Sequence, residues 1–138
     1  MDITDSKALK VNMTYLIGLA CTIALGTTHV SFALVGNNEI GEFYAAQMQW
    51  GDKSDYWNTR VSTMSIFGLT CGSVAAGFVL KYFARRTVIV MMSISAFVAL
   101  VLTLFLNIWL ILIGKFIYAF SAGVTLVASS MYLAETLP

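Results

Sequence analysis

Long stretches without any charged side chain constrain this chain most. Residues 12–38, 61–80, 87–114 and 116–134 contain no Asp, Glu, Lys or Arg. A helix needs about 20 mostly apolar residues to cross the hydrocarbon core of a bilayer. Each stretch has about that length or more, and only Lys115 separates the third stretch from the fourth. The pattern therefore predicts an integral, multi-pass membrane protein.

The stretch from 87 to 134 is too long for one helix, and a turn near Asn107 divides it into two. Because lipid cannot satisfy open backbone groups, the spans are expected to be helices. We therefore predict an all-α membrane protein with four transmembrane helices. The predicted order is a polar N-terminal arm (1–12), a first span (13–36), an interfacial loop (37–59), a second span (60–80), a basic loop (81–86), a third span (87–106), a fourth span (108–134) and a truncated end (135–138).

Basic residues are distributed unequally between the two sides of the predicted bundle. The segment from Asn37 to Arg60 carries only two of them, Lys53 and Arg60, whereas the other side carries five. Basic residues in short loops favour the cytoplasmic side, so both termini are predicted to lie inside. The sequence does not distinguish a plasma membrane from an organellar inner membrane. The five basic residues are Lys7, Lys10, Lys81, Arg85 and Arg86.

Aromatic side chains recur along the segment between the first two spans. Tyr44, Trp50, Tyr56 and Trp57 all fall there, and such rings prefer the boundary between membrane and water. The segment is interpreted as an interfacial loop or a short surface helix. Contact with a substrate or partner is the alternative.

Composition argues against several classes of function. Only 11% of the residues are charged, against about 25% in a soluble domain, and a net charge of +1 predicts no nucleic-acid partner. One histidine, and no pair of acids within a span, do not supply a catalytic arrangement. No enzyme activity, metal or cofactor is predicted. Cys21 and Cys71 fall within spans, where they are interpreted as small apolar residues.

Small residues recur every four positions in the second span, with a weaker version in the fourth. This spacing places them on one helix face, where another helix can approach closely. The pattern predicts helix packing and says nothing about transport. The repeat consists of Gly68, Gly72 and Ala76 and is followed by Gly77, which is also predicted to take part in helix packing; the fourth span has Ala119 and Gly123.

Two ionisable side chains interrupt the apolar segments. His29 is interpreted either as part of a satisfied interhelical hydrogen bond or as a site in a water-filled path. Lys115 either has an interior functional role or extends its ammonium group to the headgroups. The sequence alone leaves both choices open.

Two motifs resemble those of the sugar porters of the major facilitator superfamily. That family opens its fourth helix with G-R-x-x-x-G-x-G-x-G and closes it with P-x-Y-x-x-E-x-x-P. After the second helix it carries G-x-x-x-D-R-x-G-R-R, where this chain has Lys81 for the aspartate. The fourth-helix motif aligns without a gap, and the second-helix motif keeps its glycine and last two arginines. The aligned residues are Gly114, Lys115, Ala119, Ser121, Gly123, Ser130, Tyr132, Glu135 and Pro138 in the first case, and Gly77, Arg85 and Arg86 in the second.

The resemblance implies roles for several residues. Arg85, Arg86 and Glu135, with Lys81, would form the charged network of the cytoplasmic gate. Lys115 would replace the fourth-helix arginine of the family. Together with His29 and Thr28 it would lie along the transport path. Thr28 stands where proton-coupled members carry an acid, and the predicted spans hold no carboxylate, which favours facilitated diffusion over proton symport.

Two hypotheses follow from the resemblance. The first is the N-terminal portion of a facilitative hexose-type transporter that works by alternating access between two six-helix halves. Its partners would be the bilayer, the rest of the transporter and a small sugar as substrate. The alternative is a non-transporting structural subunit, derived from a transporter, that packs against other membrane subunits of a larger complex, which could be organellar.

Overall fold

The structure, a computed structural model, describes residues 13–136. Within that range it is all-helical, without a β-strand. Three segments are long and apolar enough to cross a membrane, namely Gly51–Tyr82, Arg85–Thr103 and Ile108–Tyr132. The span predicted within the first helix and the inside location of both termini remain predictions. The four α-helices are α1 (Met13–Gln47), α2 (Ser54–Tyr82), α3 (Arg85–Thr103) and α4 (Ile108–Thr136), and a short 3-10 helix, Gly51–Lys53, precedes α2.

The connections between the last three helices are short. Only Phe83 and Ala84 separate α2 from α3, and both have extended backbone angles that end one helix before the next begins. Asn107 precedes α4 and acts as its N-cap, because its side-chain oxygen accepts a hydrogen bond from the Trp109 amide at 3.1 Å. The predicted turn near Asn107 coincides with this cap. Successive helices therefore reverse direction, so that α3 packs antiparallel to α4, whereas α2 and α4 run parallel to each other.

The segment from 37 to 59 is predicted to be an interfacial loop, but in the structure it is largely helical. Helix α1 continues to Gln47, and the chain reverses at Gln49 and Gly51, which both have left-handed backbone angles (φ 52° and 50°). No proline interrupts this part of α1. Tyr44 is buried in a cluster at the start of α4, so tertiary packing supports the extra helical turns. The cluster comprises Tyr44, Val61, Ile111 and Leu112, with Ile40, Met48, Trp50 and Ile108 against it.

Helix α4 is the central element of the bundle. It packs most extensively against α2 and α3, and less extensively against α1. Small and hydroxyl side chains on several of its faces allow these contacts. Ser121 forms an interhelical hydrogen bond with Ser95 of α3 and also donates to the Ile117 carbonyl at 2.9 Å. Its buried small or hydroxyl residues include Ala119, Ser121, Ala122, Thr125, Ala128 and Ser129.

Helices α2 and α4 approach each other backbone to backbone. A Cβ atom added at Gly72 would lie 2.2 Å from the carbonyl oxygen of Phe120, and one at Gly123 would lie 2.5 Å from that of Leu69. A Cβ atom added at Gly68 would likewise lie 2.7 Å from the carbonyl oxygen of Phe116. Such contacts maximise van der Waals packing between membrane helices.

The repeat of small residues is thus divided between two environments. Gly68, Gly72 and Ala76 are buried in α2, and Gly123 of α4 lies opposite them. Gly77 is exposed, with nothing within 4 Å of the position of an added Cβ. It follows Ala76 directly, and one residue of an α-helix is about 100° of rotation, so it points away from the α4 interface.

Replacement of Gly72 should separate α2 from α4. Gly72→Ala places a methyl group against backbone that no rotamer change can move, and overpacking of this kind costs about 1–3 kcal/mol. Thermal unfolding in detergent, followed by size-exclusion fluorescence, measures the effect. Gly77→Ala is the matched control and should leave the melting temperature unchanged or raise it. Equal destabilisation by both variants would contradict this packing.

Candidate functional site

One end of the bundle carries an ion pair between two helix termini. Arg85, the first residue of α3, pairs through its guanidinium with the carboxylate of Glu135 near the end of α4. The two side chains are 37% and 51% exposed. Because α3 and α4 are antiparallel, Glu135 lies near the positive end of the α3 dipole and Arg85 near the negative end of the α4 dipole. Each charge also lies at the unfavourable end of its own helix dipole, so the dipole contributions largely cancel and the direct ion pair is the main favourable contact.

The other two members of the predicted charged network are not part of this pair. Lys81 and Arg86 are both exposed. The Lys81 ammonium lies 6.0 Å from the centroid of the Tyr82 ring. Among the side chains that the structure describes, the ion pair observed is that of Arg85 with Glu135. The Nε atom of Arg85 is buried without a hydrogen-bond partner among them, so part of its donor capacity is unused.

Lys115 lies toward the opposite end of the bundle, in the wall of a cavity. It is only 5% exposed, and the cavity has a volume of about 520 Å³ between α1, α3 and α4. The other described lining residues are mostly aromatic and aliphatic. They are Phe32, Ile40, Phe43, Tyr44, Phe97, Leu100, Val101, Thr103, Leu104 and Leu106.

The two neutral polar residues of this wall already have internal partners. The Tyr44 hydroxyl donates to the Thr103 carbonyl at 3.4 Å, and the Thr103 hydroxyl donates to the Leu100 carbonyl at 2.7 Å. The first bond attaches the extension of α1 to the end of α3, and the second lies within α3. The Lys115 ammonium is therefore the polar group of the described wall with most capacity to bind a ligand.

The predicted path residues of α1 have a different position. Thr28 is exposed, and its hydroxyl donates to the Ala24 carbonyl at 2.9 Å. It is not among the described residues that line the Lys115 cavity. The side chain of His29 lies outside the part that the structure describes. The structure therefore does not bring Thr28 together with Lys115.

Aromatic rings group where α1 meets α2. Trp50 and Trp57 have ring centroids 6.3 Å apart, and Tyr56 packs edge-on against Trp57 at 5.4 Å. The Arg60 guanidinium lies over the Tyr56 ring at 4.7 Å, a cation–π contact. Tyr44, which the sequence assigned to the same boundary group, is buried instead.

A comparison with known protein families gives a match over most of the chain. The sequence profile described as "Sugar (and other) transporter" matches residues 11–138. The chain belongs to this family. The resemblance derived from the fourth-helix motif is thereby confirmed. No curated protein and no solved structure gave a significant match.

Family membership and the apolar helices together give the broad class of the protein. It is a sugar-transporter-like integral membrane protein with several spans, and it resides in a lipid bilayer. The family points to a transporter rather than an enzyme. Sequence reasoning did not identify the cavity around Lys115 or the burial of Tyr44. The apolar spacing of Ile40, Tyr44 and Met48 was the available signal for that burial.

The Arg85–Glu135 pair should contribute little to stability. Both groups are partly exposed, and exposed pairs contribute about 0.2–1 kcal/mol. A double-mutant cycle with Arg85→Gln and Glu135→Gln, measured by unfolding in mixed micelles, should give a coupling energy within that range. Arg86→Gln combined with Glu135→Gln is the control and should show almost none. A coupling energy several times larger would mean that the pair is a structural element.

Proposed function

We propose that this chain forms the N-terminal portion of a facilitative hexose-type transporter that works by alternating access. The observation that carries the proposal is the contact between Arg85 and Glu135. It joins the start of α3 to the end of α4 at two positions that match the sugar-porter motifs. An exposed ion pair with a small net energy suits a contact that forms and breaks during each cycle.

In this proposal the pair belongs to the inner gate. When the inner end is closed, Arg85 and Glu135 hold α3 and α4 together, and opening exchanges that contact for others. The Nε of Arg85 is buried without a described partner, and it can donate to another part of the transporter once opening moves the side chain. Lys81 and Arg86 flank the same end and are available for similar contacts.

Facilitated diffusion is the mode that the predicted spans support. In the proton-coupled relatives, an acid on the first helix is the group associated with proton coupling. The predicted spans contain no carboxylate, and Thr28 stands at the position of the acid in proton-coupled relatives. In this proposal Thr28 and His29 contribute to the sugar path, and transport follows the sugar gradient alone.

The proposed topology places both termini inside and counts α1 as the first of four spans. Lys81, Arg85 and Arg86 lie together around the short α2–α3 connection, and basic residues in such a connection favour the cytoplasmic side. The turn with Gln49 and Gly51 would then face outward. In an organelle, inside would mean the matrix or stroma.

A second candidate is a structural subunit that retains the helix bundle without transporting. Its specific support is Lys81, which puts a positive charge where the family motif has an aspartate, next to Arg85 and Arg86. Ser130 also replaces the fourth-helix proline. Both changes weaken the gate pattern while leaving the packing of α2 on α4 intact.

Transport can be tested with the natural full-length polypeptide that carries this sequence, reconstituted in liposomes. Labelled glucose should equilibrate with saturable kinetics and counterflow, whether or not a pH gradient is imposed. Glu135→Gln should change the rate by up to about fivefold, the factor that corresponds to about 1 kcal/mol. Lys53→Gln, on the opposite side, is the control. Uptake no greater than in protein-free liposomes, with stoichiometric co-purification of other subunits, would favour the structural subunit.

Topology can be tested with single cysteines in a background in which Cys21 and Cys71 are replaced by alanine. Lys53→Cys should react with a membrane-impermeant maleimide added to intact cells or organelles. Lys81→Cys should react only after permeabilisation, because the basic α2–α3 connection lies inside. Both residues are exposed, so access to the protein surface is matched. The reverse labelling pattern would contradict the proposed orientation.

A further inference from the structure

The cavity around Lys115 has the wrong chemistry for a sugar. A hexose presents hydroxyl groups on all sides, and sites that bind one need several hydrogen-bonding partners. Here the hydroxyls of Tyr44 and Thr103 are already used within the protein. Most of the remaining described wall is hydrocarbon. Only the Lys115 ammonium offers a strong interaction.

A cation on a side chain that is 5% exposed in an apolar wall is stabilised by an anion placed beside it. Burial of an unpaired ammonium group is costly. No carboxylate in the described part of the chain lies within ion-pair distance of Lys115. An anionic group from a ligand would satisfy the ammonium and would be bound strongly there, because the surroundings exclude water.

The walls also indicate the side from which a ligand enters. Phe97 and Leu104 line the cavity and are 69% and 78% exposed. Phe97 lies on the exposed surface of α3, and Leu104 lies just after the end of that helix. In a bilayer both side chains would contact lipid hydrocarbon. Phe32 of α1 lines the opposite wall and is 44% exposed. A molecule already dissolved in the bilayer can therefore enter the cavity laterally and reach Lys115.

We propose that the cavity formed by α1, α3 and the first turns of α4 binds a long-chain fatty acid, with its carboxylate on the Lys115 ammonium. The acyl chain packs against Phe32, Phe97 and Leu100. A volume of about 520 Å³ is within the range of small-molecule sites and accommodates one chain rather than a whole phospholipid. Lys115 lies seven residues into α4, about 10 Å along its axis, a depth that a compact carboxylate reaches more easily than a glycerophosphate.

The bound ligand would lie between α1 and α3 and set the distance between them. The hydrogen bond from Tyr44 to the Thr103 carbonyl joins these helices at the edge of the cavity. A bound chain fixes their separation at this end. This site is independent of sugar transport, since it would also be present in a structural subunit.

The test uses the full-length polypeptide in neutral-lipid nanodiscs and a photoreactive palmitic acid with a diazirine on its chain. Labelling should saturate, and peptide mapping should place the adducts on α1 around Phe32 or on α3 around Phe97. Unlabelled palmitate should compete. Hexadecanol, which has the same chain without the charge, should compete about tenfold or more weakly, the factor expected for a charge-assisted contact. Phosphatidylglycerol is anionic but should also compete weakly, because its two chains and glycerophosphate are too large for the cavity.

Substitutions at Lys115 and at Val101 distinguish the contribution of the lysine charge to binding from that of the cavity volume. Lys115→Met should weaken labelling by about tenfold or more while preserving the fold, because an apolar residue of similar length replaces a buried charge. Lys115→Arg should retain binding, and Lys53→Met is the matched control without effect. Val101→Trp should block labelling by filling the cavity, with circular dichroism confirming its helical content.

Several results would overturn the proposal. They are labelling that does not saturate, equal competition by hexadecanol, stronger competition by phosphatidylglycerol, adducts outside α1 and α3, or labelling unchanged in Lys115→Met. Absence of labelling, as expected if another segment of the polypeptide fills the cavity, would overturn it as well.

Discussion

The backbone contact between α2 and α4 is the interaction on which the rest of this structure depends. In a bilayer, apolar side chains gain little by leaving lipid for one another, so association depends on close packing. Gly72 and Gly123 remove the side chains that would hold the two helices apart, and the Phe120 carbonyl occupies the space beside Gly72. With α2 fixed on one side, α4 uses its other small and hydroxyl residues to bind α3. The result is a bundle organised around one buried helix rather than around a core of large side chains.

The two chemically distinctive ends of the bundle follow from that arrangement. At one end, the antiparallel packing of α3 on α4 brings Arg85 to Glu135, where the two opposite charges pair. At the other end, α1 contacts α4 less extensively than α2 and α3 do, and a cavity remains beside Lys115. The same central helix thus carries a charge-paired terminus and an apolar pocket with a single cation. The first suits a gate, whereas the second suits an amphiphile.

Much of this could be predicted from the sequence because membrane solvation leaves few choices. Charge-free stretches predict apolar helices, and residue spacing predicts a close interface at Gly68, Gly72 and Ala76. The extension of α1 to Gln47 was not predicted, because polar and glycine residues after 36 resemble a loop until tertiary contacts at Tyr44 are included. Gly77 was grouped with the repeat although it is one residue out of phase. The Lys115 cavity depends on how α1 and α3 are positioned, and no local pattern encodes that distance.

The central claim is that α2 and α4 touch through their backbones, and one distance tests it directly. An added Cβ at Gly72 lies 3.0 Å from the carbonyl carbon of Phe120. The Gly72 Cα is therefore within about 4.5 Å of that carbon, allowing about 1.5 Å for one bond. Solid-state NMR on protein in bilayers, with ¹³C at these two positions, measures the separation by dipolar recoupling. Strong transfer at a distance below about 5 Å is the predicted result, and a separation beyond about 7 Å would show that side chains keep the helices apart.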